Sequence, residues 1–260
     1  MQYRAEVNAM LTSERKRHIL EILKREGRVV AKAVSLELGL SEDTIRRDLR
    51  ELAAEGLLQR VHGGALPASP GVADFATRQA IGLDGKRAIG RAAAAMIEDG
   101  QVVILDGGTT ALEVARHLRP GLRATIITHA PSTALALMPH QGVEVIIIGG
   151  RLFRHSIVAV GAIAAEQIAR IRADIYFLGV TGIHAEAGLT TGDIEEAAIK
   201  RQLMGQAAET IALASSEKIG AVSPFLVAPI TALAGMIVES GQDRATLASF
   251  ARAGIAVTEA

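Results

Sequence analysis

The sequence predicts an α/β protein in two parts: a small helical head with a short strand pair, and a larger α/β domain with a mostly parallel sheet. Three observations predict it. Apolar residues at helical spacing, interrupted by glycines, fill residues 13–56. The stretch Leu66–Gly71, rich in Pro, Ser and Gly, is typical of a linker. Beyond it, continuous aliphatic runs alternate with helical stretches, as expected for a sheet covered by helices on both faces.

The composition favours a cytoplasmic protein without covalent cross-links. The 260 residues are 49% hydrophobic, which suffices for the core of one large domain or of two. Cysteine is absent, which excludes disulfides and thiolate metal sites and is typical of a reducing compartment. The first residues lack the pattern of a signal peptide, and the uncharged stretch Ile219–Val238 contains prolines and glycines that would break a membrane helix. We therefore expect a soluble protein.

The net charge does not identify a partner. Lys and Arg together number 28, and Asp and Glu also number 28. A nucleic-acid partner must therefore be argued from the local placement of basic residues, not from the balance of the whole chain.

The head begins with two predicted helices. Residues 1–12 show no clear period and are predicted to be a flexible tail. From Ser13 a helix is predicted, with apolar residues on one side and basic residues on the other, and Gly27 ends it. A second, shorter helix is predicted for Ala31–Leu38, and Gly39 ends it.

The third predicted helix has clear start and stop signals. Ser41 is a favourable N-cap, and the two acidic residues after it suit the positive end of the helix dipole. Ile45, Leu49 and Leu52 repeat on one face, and Gly56 ends the helix.

The head has the order of elements of a winged helix-turn-helix. The second and third helices are joined through Glu37–Ser41, and Leu57–Ala65 predicts a short strand pair that turns at Gly63-Gly64. In a helix-turn-helix the second helix of the pair enters the DNA major groove, N-terminal residues first. We place this domain at residues 13–66 and a linker at residues 67–80.

Polar residues of the third helix and of the wing turn form the predicted DNA-contact set. Arginine donates paired hydrogen bonds to guanine edges or phosphates, and threonine can contact a phosphate or a thymine methyl group. The alternative is an ordinary solvated helix face whose arginines pair with Glu42, Asp43 and Asp48. The predicted set comprises Ser41, Thr44, Arg46, Arg47, Arg50, Arg60, His62 and Gly63.

The larger predicted domain covers residues 81–260 and alternates strands with helices. Five strands are predicted, at Val102–Leu105, Ala124–Thr128, Val143–Ile148, Ile175–Gly179 and Ile211–Ala214. Five helices are predicted, at Lys86–Ile97, Ala111–Leu118, Ser132–Met138, Ala162–Ile168 and Ile194–Ala208.

A glycine loop follows the first of these strands. The residues are Asp106, Gly107, Gly108, Thr109 and Thr110, and a helical pattern comes next. Glycines let backbone N–H groups approach a phosphate, a helix N-terminus adds donors, and the threonines add hydroxyls. Asp106 would repel a phosphate, so we expect it to bond sugar hydroxyls or to orient the loop. The alternative is a tight strand-to-helix turn with a threonine cap, because a single glycine-rich turn is a weak signal.

A second polar cluster occurs further along the chain. Asp193 can cap a helix with Glu196 at its third position, which is the spacing of a capping box. Glu196 and Lys200 are four residues apart in the favourable order, so the chemistry alone favours a plain helix ion pair. Lys218, taken alone, is expected to be an ordinary surface lysine.

The segment "SEDTIRRDLRELAAEGLLQRVHGGA" (Ser41–Ala65) combines a "TIRRDL" helix with a wing that ends in "HGGA". It resembles the signature of the DeoR family of bacterial transcriptional regulators, and the resemblance covers nearly the whole chain after about Leu11. The further matching segments, in family order, are "DFATR" (Asp74–Arg78), "DGGTT" (Asp106–Thr110), "IIIGGRLF" (Ile146–Phe153), "VGA" (Val160–Ala162) and "GLTTGDIEEAAIKR" (Gly188–Arg201).

The resemblance implies a sensor domain with the fold of sugar-phosphate isomerases and deaminases, used to bind a phosphorylated sugar or a related metabolite. It places the second polar cluster at the effector pocket and makes Lys218 a candidate for phosphate or sugar contact. The predicted effector-binding set comprises Asp106, Gly107, Gly108, Thr109, Thr110, His129, Asp193, Glu196, Lys200 and Lys218.

The sequence departs from the family pattern in three places. His129 stands where the family usually has asparagine, and Glu239 follows Ile237-Val238 where an "ITD" run is expected. Ser215 begins "SSEK" where the family has an "ADSSK"-like run, so the acidic residue is displaced. His129 and Ser215 would alter hydrogen bonding in or near the pocket. We therefore expect an effector unlike those of other family members, or one bound differently.

Three functions are compatible with these patterns. The first is a transcription factor, most often a repressor in this family, that binds operator DNA of a carbohydrate operon as a homodimer or tetramer and responds to a phosphorylated sugar. The second is an isomerase or deaminase with an accessory head, using Asp106, Asp193, Glu196 and Lys200 in proton transfer. The third is a DNA-binding protein whose α/β domain only mediates oligomerisation.

The first function is favoured. Catalysis does not require a recognition helix, and the polar residues of the predicted pocket argue against a purely structural domain. We expect no enzymatic activity and no cofactor. No metal is predicted either, because His62, His129 and His184 lack the spacing of a metal site.

Overall fold

The computed structural model describes residues 11–69 and 75–260 of the chain. By contacts it divides into two compact units, one ending at Ala68 and the other beginning at Ser69. We call the first the head and the second, after the role that the family resemblance implies, the sensor domain, and describe each separately.

The head contains three helices and a three-stranded antiparallel sheet. Its helices are α1 (Thr12–Glu26), α2 (Ala31–Leu38) and α3 (Glu42–Ala54), and its strands, in sheet order, are β1 (Val29–Val30), β3 (Gly64–Pro67) and β2 (Leu58–Val61). The core joins all three helices to the sheet through buried aliphatic residues, among them Ile19, Ile45 and Leu58.

The turn between α2 and α3 follows from two local signals. Gly39 adopts a φ of 64°, a left-handed conformation that closes α2 and that side chains rarely adopt. Ser41 then caps α3, since its Oγ accepts a hydrogen bond from the Thr44 amide at 3.2 Å. These signals explain why the observed bounds of α2 and the start of α3 agree with the prediction.

The structure differs from the sequence prediction at the edges of the head. Helix α1 begins at Thr12 with Leu11 as its N-cap, so the last residues of the predicted tail are ordered, while residues 1–10 lie outside the described part. The wing turns at His62-Gly63, because Gly64 already pairs in β3. Strand β1 was not predicted, because it is only two residues long.

The predicted linker at residues 67–80 is also more structured than expected. Pro67 is the last residue of β3, and Phe75–Ala80 forms helix α4. Residues 70–74 lie outside the described part. Phe75, the first residue of α4, is buried, so the segment packs against the rest of the domain.

A seven-stranded sheet forms the centre of the sensor domain. In sheet order its strands are β15 (Ala256–Glu259), β14 (Gly235–Val238), β12 (Ala207–Ala214), β9 (Ala173–Gly179), β4 (Val102–Leu105), β5 (Thr125–Thr128) and β6 (Glu144–Ile147). Every neighbouring pair is parallel. The predicted α/β fold with a mostly parallel sheet is therefore confirmed.

Helices cover both faces of the sheet, with a separate apolar core on each. One core includes residues of α5 (Leu83–Ala95), α6 (Thr109–Arg116) and α7 (Pro131–Leu137). The other includes residues of α8 (Ala162–Ile168), α9 (Ile194–Met204) and α10 (Arg244–Arg252). Successive residues of β4 enter opposite cores, Val103 and Leu105 on one side and Ile104 on the other.

Short strands outside the main sheet were not predicted. They are the hairpin of β7 (Arg151–Phe153) and β8 (Val158–Val160), and the three-stranded antiparallel sheet of β10 (Gly182–His184), β11 (Gly188–Thr191) and β13 (Phe225–Ala228). Helix α9 ends at Met204, earlier than predicted, because residues from Ala207 pair with β9. The uncharged stretch Ile219–Val238 contains β13 and β14, and within the described ranges no helix is long and apolar enough to cross a membrane.

Candidate functional site

A pocket lies where the direction of chain progression across the sheet reverses. From β4 the chain proceeds outward through β5 to β6, and then returns to place β9 on the other side of β4. In open parallel sheets, ligands bind outside the carboxyl ends of the strands at such a point. The residues after β4, Gly107–Thr110, and those ending and following β9, Gly179–Thr181, both line the pocket, which has about 590 Å³ of empty space including its mouth.

The glycine loop presents the first turn of α6 to this pocket. Gly108 is the N-cap of α6 with a φ of 92°, a conformation accessible mainly to glycine. The amides of Thr109 and Thr110 are in the first turn, where no intrahelical acceptor exists, and the positive end of the helix dipole adds to their attraction for an anion. Gly107 is required by packing, since a Cβ there would lie 2.1 Å from Cγ1 of Val158.

Asp106 is buried beneath the loop and does not line the pocket. Its Oδ1 accepts hydrogen bonds from the Gly107 amide and from His129 Nε2, both at 2.8 Å. Its Oδ2 accepts from the Gly179 amide at 2.8 Å and from Lys200 Nζ at 2.6 Å. Burial by itself would raise the pKa of Asp106, but the charge of Lys200 and the His129 hydrogen bond hold it well below its usual range. Of the two roles considered for Asp106, this geometry favours orienting the loop, because its oxygens are already occupied.

Lys200 and Glu196 form a buried ion pair on α9. Lys200 Nζ lies 3.4 Å from Glu196 Oε1, and Oε2 of the same glutamate accepts from Thr191 Oγ1 at 3.0 Å and Ser156 Oγ at 3.3 Å. Burial tends to lower the pKa of Lys200, yet the charges of Asp106 and Glu196 raise it. Both Glu196 and Lys200 line the pocket.

The capping box predicted at Asp193 does not form. Asp193 does cap α9, accepting from the amides of Glu195 at 3.0 Å and Glu196 at 2.9 Å. The Glu196 carboxylate, however, faces inward to Thr191 and Ser156 instead of returning to the Asp193 amide. Asp193 does not line the pocket, so its role in the structure is to cap α9.

Lys218 lies in the 3-10 turn Ser216–Lys218 that follows β12, and its ammonium reaches the glycine loop. Nζ donates to Thr110 Oγ1 at 3.1 Å, and the residue lines the pocket. Burial disfavours the charged form and lowers the pKa of Lys218 to about 8. The sequence alone indicated a surface lysine, whereas the structure puts this side chain beside the first turn of α6.

His129 is fully buried on the far side of Asp106. Its Nε2 faces Asp106 Oδ1 at 2.8 Å and its Nδ1 faces the carbonyl oxygen of Ala159 at 3.1 Å. His129 therefore links Asp106 to strand β8 and does not line the pocket.

Several pocket residues were missed by the sequence analysis. They come from segments far apart in the chain, and only Arg78 and Thr191 fall within segments that match the family pattern. The missed residues are Arg78, Ile81, Lys86, Ser156, Gly179, Val180, Thr181, Thr191 and Glu217. Glu217 had been noted only as a displaced acidic residue; its Oε1 accepts from Ser215 Oγ at 2.7 Å.

The pocket lining carries an excess of positive charge. Its cationic side chains are Arg78, Lys86, Lys200 and Lys218, and its carboxylates are Glu196 and Glu217. Asp106 beneath the loop offsets one further charge, through Lys200. Together with the first turn of α6, this balance favours a ligand with an anionic group.

The predicted DNA-contact residues lie on the surface of the head. Arg46, Arg47 and Arg50 are exposed on α3, opposite the buried Ile45 and Leu49. Ser41 and Thr44 are at the start of the same helix, and Arg60, His62 and Gly63 are exposed at the wing.

Two of the arginines of α3 form ion pairs on the helix surface, as the alternative of an ordinary solvated helix face predicted. Arg46 pairs with Glu42 at 2.7 Å and Arg47 with Glu51 at 3.3 Å. Asp48, which was considered as a partner, is instead buried and bonded to Arg15 of α1, with Nη2 to Oδ1 at 2.9 Å. Exposed pairs of this kind contribute little free energy and exchange readily for phosphate contacts.

The winged helix-turn-helix and the separate α/β domain with an anion-favouring pocket define a ligand-responsive DNA-binding regulator. Residues 15–70 match the model of the DeoR-like helix-turn-helix domain, and residues 82–240 match that of the DeoR C terminal sensor domain. The chain belongs to the DeoR family.

Known proteins are similar over most of the chain. The HTH-type transcriptional regulator GlpR of Haloferax volcanii is 35% identical over 96% of this chain and 98% of its own length. The glycerol-3-phosphate regulon repressor of Escherichia coli is 31% identical over 81% of this chain and 84% of its own. Among solved structures, ribose 5-phosphate isomerase A from Methanocaldococcus jannaschii is 18% identical over 52% of this chain and 54% of its own, with a TM-score of 0.39.

Proposed function

We propose that this regulator represses a carbohydrate operon and is controlled by a phosphorylated sugar bound in the sensor domain. The observation that carries the proposal is the pocket in which the first turn of α6 and the Lys218 ammonium converge, Nζ to Thr110 Oγ1 being 3.1 Å. A regulator of this family, the repressor from Escherichia coli, is named for the glycerol-3-phosphate regulon, which also supports a phosphorylated ligand.

The two parts of such a ligand would meet different groups. The phosphate takes the amides of Thr109 and Thr110 together with Lys218, because these groups donate and none of them accepts in that geometry. The hydroxyls of the sugar are within the reach of Ser156, Thr191 and Glu217, which line the same pocket. Asp106, His129 and Asp193 act indirectly, by fixing the loop and the start of α9.

The head would read DNA through α3 and the wing. Arg46, Arg47 and Arg50 supply base-edge and phosphate contacts in the major groove, and Arg60 and His62 contact the backbone or minor groove. Because the arginines give up only exposed ion pairs, DNA binding should depend strongly on salt.

The partner of the sensor domain would be a second copy of the chain. Ile146 and Ile147 of the edge strand β6 point to opposite faces, yet are 42% and 52% exposed. An exposed apolar edge invites pairing unless it is covered. Sedimentation of the wild-type chain beside Ile147→Lys tests this: loss of the oligomer with unchanged ligand binding is expected, and an unchanged oligomer would contradict it.

The proposal is tested by fluorescence anisotropy with DNA from upstream of the protein's own gene. The titration is repeated across salt and with glucose-6-phosphate, fructose-1-phosphate and glycerol-3-phosphate, with the unphosphorylated sugars and inorganic phosphate as controls. A sequence-selective complex whose affinity changes with one sugar phosphate is expected. Turnover of a sugar phosphate without selective DNA binding would favour an enzyme instead, and DNA binding that no panel member alters would contradict the sensor role.

A further inference from the structure

The segment that leads out of residues 70–74 forms part of the pocket wall. Arg78 of α4 and Ile81 in the turn after it both line the pocket. Arg78 is half-buried, and its Nη2 donates to the carbonyl oxygen of His155, in the turn between β7 and β8, at 2.8 Å. A cation of the pocket therefore belongs to the stretch of chain nearest the head in sequence.

Lys86 holds this segment in place from beneath. The residue is 1% exposed, and its Nζ donates to the carbonyl oxygens of Arg78 at 2.6 Å and Ile81 at 2.5 Å. Glu217 Oε1 lies 3.8 Å from the same ammonium. Burial lowers the pKa of Lys86, opposed by the charge of Glu217. The conformation of residues 78–81 is thus tied to the electrostatics of the pocket.

The other side of residues 70–74 is fastened to the same pocket. The Ser69 amide donates to the carbonyl oxygen of Val222 at 3.3 Å, and Ser69 Oγ donates to that of Thr181. Thr181 itself lines the pocket. The chain coming from the head thus meets the pocket wall both before and after residues 70–74.

We propose that Arg78 is the positioning residue that transmits effector binding to the segment leading to the head. An anionic group in the pocket pairs with the guanidinium, and this pair competes with the hydrogen bond to the His155 carbonyl. The carbonyl oxygen is neutral, whereas the anionic group adds the attraction between two opposite charges, so the guanidinium and α4 shift toward the ligand. A ligand changes DNA affinity only by its differential affinity for the two states, and the contact to Arg78 supplies that difference.

This inference rests on the proposed function, and one experiment separates the two. DNA affinity of the full chain is measured with and without a saturating panel member that the wild-type protein binds, for wild type, Arg78→Gln and Arg78→Lys. Arg87→Gln is the matched control, because Arg87 is exposed on α5 and pairs only with the neighbouring Asp84 at 3.6 Å in the described part.

The ratio of the two DNA affinities decides the matter. We expect Arg78→Gln to lower that ratio about fivefold or more, while Arg78→Lys retains part of it and Arg87→Gln retains all of it. A ratio in Arg78→Gln equal to that of wild type, whether or not ligand affinity falls, would overturn the role of Arg78. A wild-type ratio of one for every panel member would instead overturn the proposed function.

Discussion

The arginines of α3 and the lysines of the sensor pocket are both cationic clusters, but their surroundings are opposite. Arg47 has a side chain that is 76% exposed and pairs with a glutamate one turn along its helix. Lys200 has a side chain that is 3% exposed and pairs with Asp106, which is completely buried. The first cluster has lost little hydration and can exchange partners, as a surface that slides along and reads DNA requires. The second has lost its hydration on folding, so its charges are fixed in direction before a ligand arrives.

Breaking the buried cluster should have the largest effect. Asp106→Asn leaves the Lys200 ammonium without its closest carboxylate partner. It also turns a hydrogen-bond donor toward one backbone amide, either that of Gly107 or that of Gly179, which sits beside Lys200. We expect the sensor domain to lose about 3–5 kcal/mol of stability in urea unfolding. Asp84→Asn removes an exposed carboxylate and should unfold near the wild-type midpoint. Equal midpoints for the two variants would mean that Asp106 is not what orders the loop.

Removing an exposed arginine should affect DNA and nothing else. Arg47→Ala is expected to weaken binding of operator DNA by roughly tenfold or more, in anisotropy titrations at fixed salt. Arg17→Ala, on α1 with a 71% exposed side chain, serves as the matched control and should bind DNA nearly as wild type. Loss of ligand binding in a folded Arg47→Ala protein would contradict the division of labour between the two units.

The reverse pattern is expected for the glycine loop. Thr109→Ala removes a hydroxyl in the first turn of α6 and should weaken ligand binding by about tenfold, while DNA binding without ligand stays unchanged. Isothermal titration with a sugar phosphate that the wild-type protein binds measures it, and Thr258→Ala, exposed on β15, is the control. Because the backbone amide is retained, unchanged ligand affinity in Thr109→Ala would exclude the Thr109 hydroxyl from ligand binding.

The departure at His129 should have a smaller, indirect effect. Asparagine is too short to reach both Asp106 Oδ1 and the Ala159 carbonyl from the same backbone position, so His129→Asn should release one of them and change ligand affinity severalfold. Comparing ligand titrations of wild type and His129→Asn tests this. Tight binding of an effector common in the family, with no change in His129→Asn, would argue against a distinctive ligand or binding mode.

The smallest expected effect is one of pH. Burial lowers the pKa of Lys218 to about 8, so the ammonium is lost as the pH rises through that value. The second ionisation of a phosphate is already complete there, since its pKa is about 6. Ligand affinity should therefore fall by a fewfold between about pH 7 and pH 9. Lys218→Arg should bind with a flat profile over this range, and an equally steep profile in that variant would assign the titration to another group.

Local signals predicted the framework of the fold. The cap at Ser41 and the left-handed Gly39 fix helix ends by contacts within a few residues, and β4 is an uninterrupted aliphatic run because both of its faces are covered. The hairpin of β7 and β8 escaped prediction, since its strands have three residues each and no turn signal distinguishes them.

The pocket was predictable only where one segment contains several of its groups. The glycine loop was predicted from its composition, and Lys218 was identified only through the resemblance. Lys86 could not be found in this way, because it is an ordinary helical cation until tertiary packing brings its segment to the pocket. Arg78 ends the matching segment "DFATR", but that match assigned it no role. The direction of the Asp106 carboxylate is likewise set by Gly179 and Lys200, more than 70 residues away in sequence.

The separation between Asp106 and the pocket lining has a consequence for how such regulators diversify. All four of the described hydrogen bonds to this carboxylate come from the protein itself. The glycine loop and the first turn of α6 are therefore held in place without help from the ligand. Pocket residues outside this loop, such as Glu217 at the rim, can then be substituted while the conformation of the glycine loop is kept. Substitutions at the rim can therefore alter which ligand is preferred while the buried contacts that hold the loop are kept.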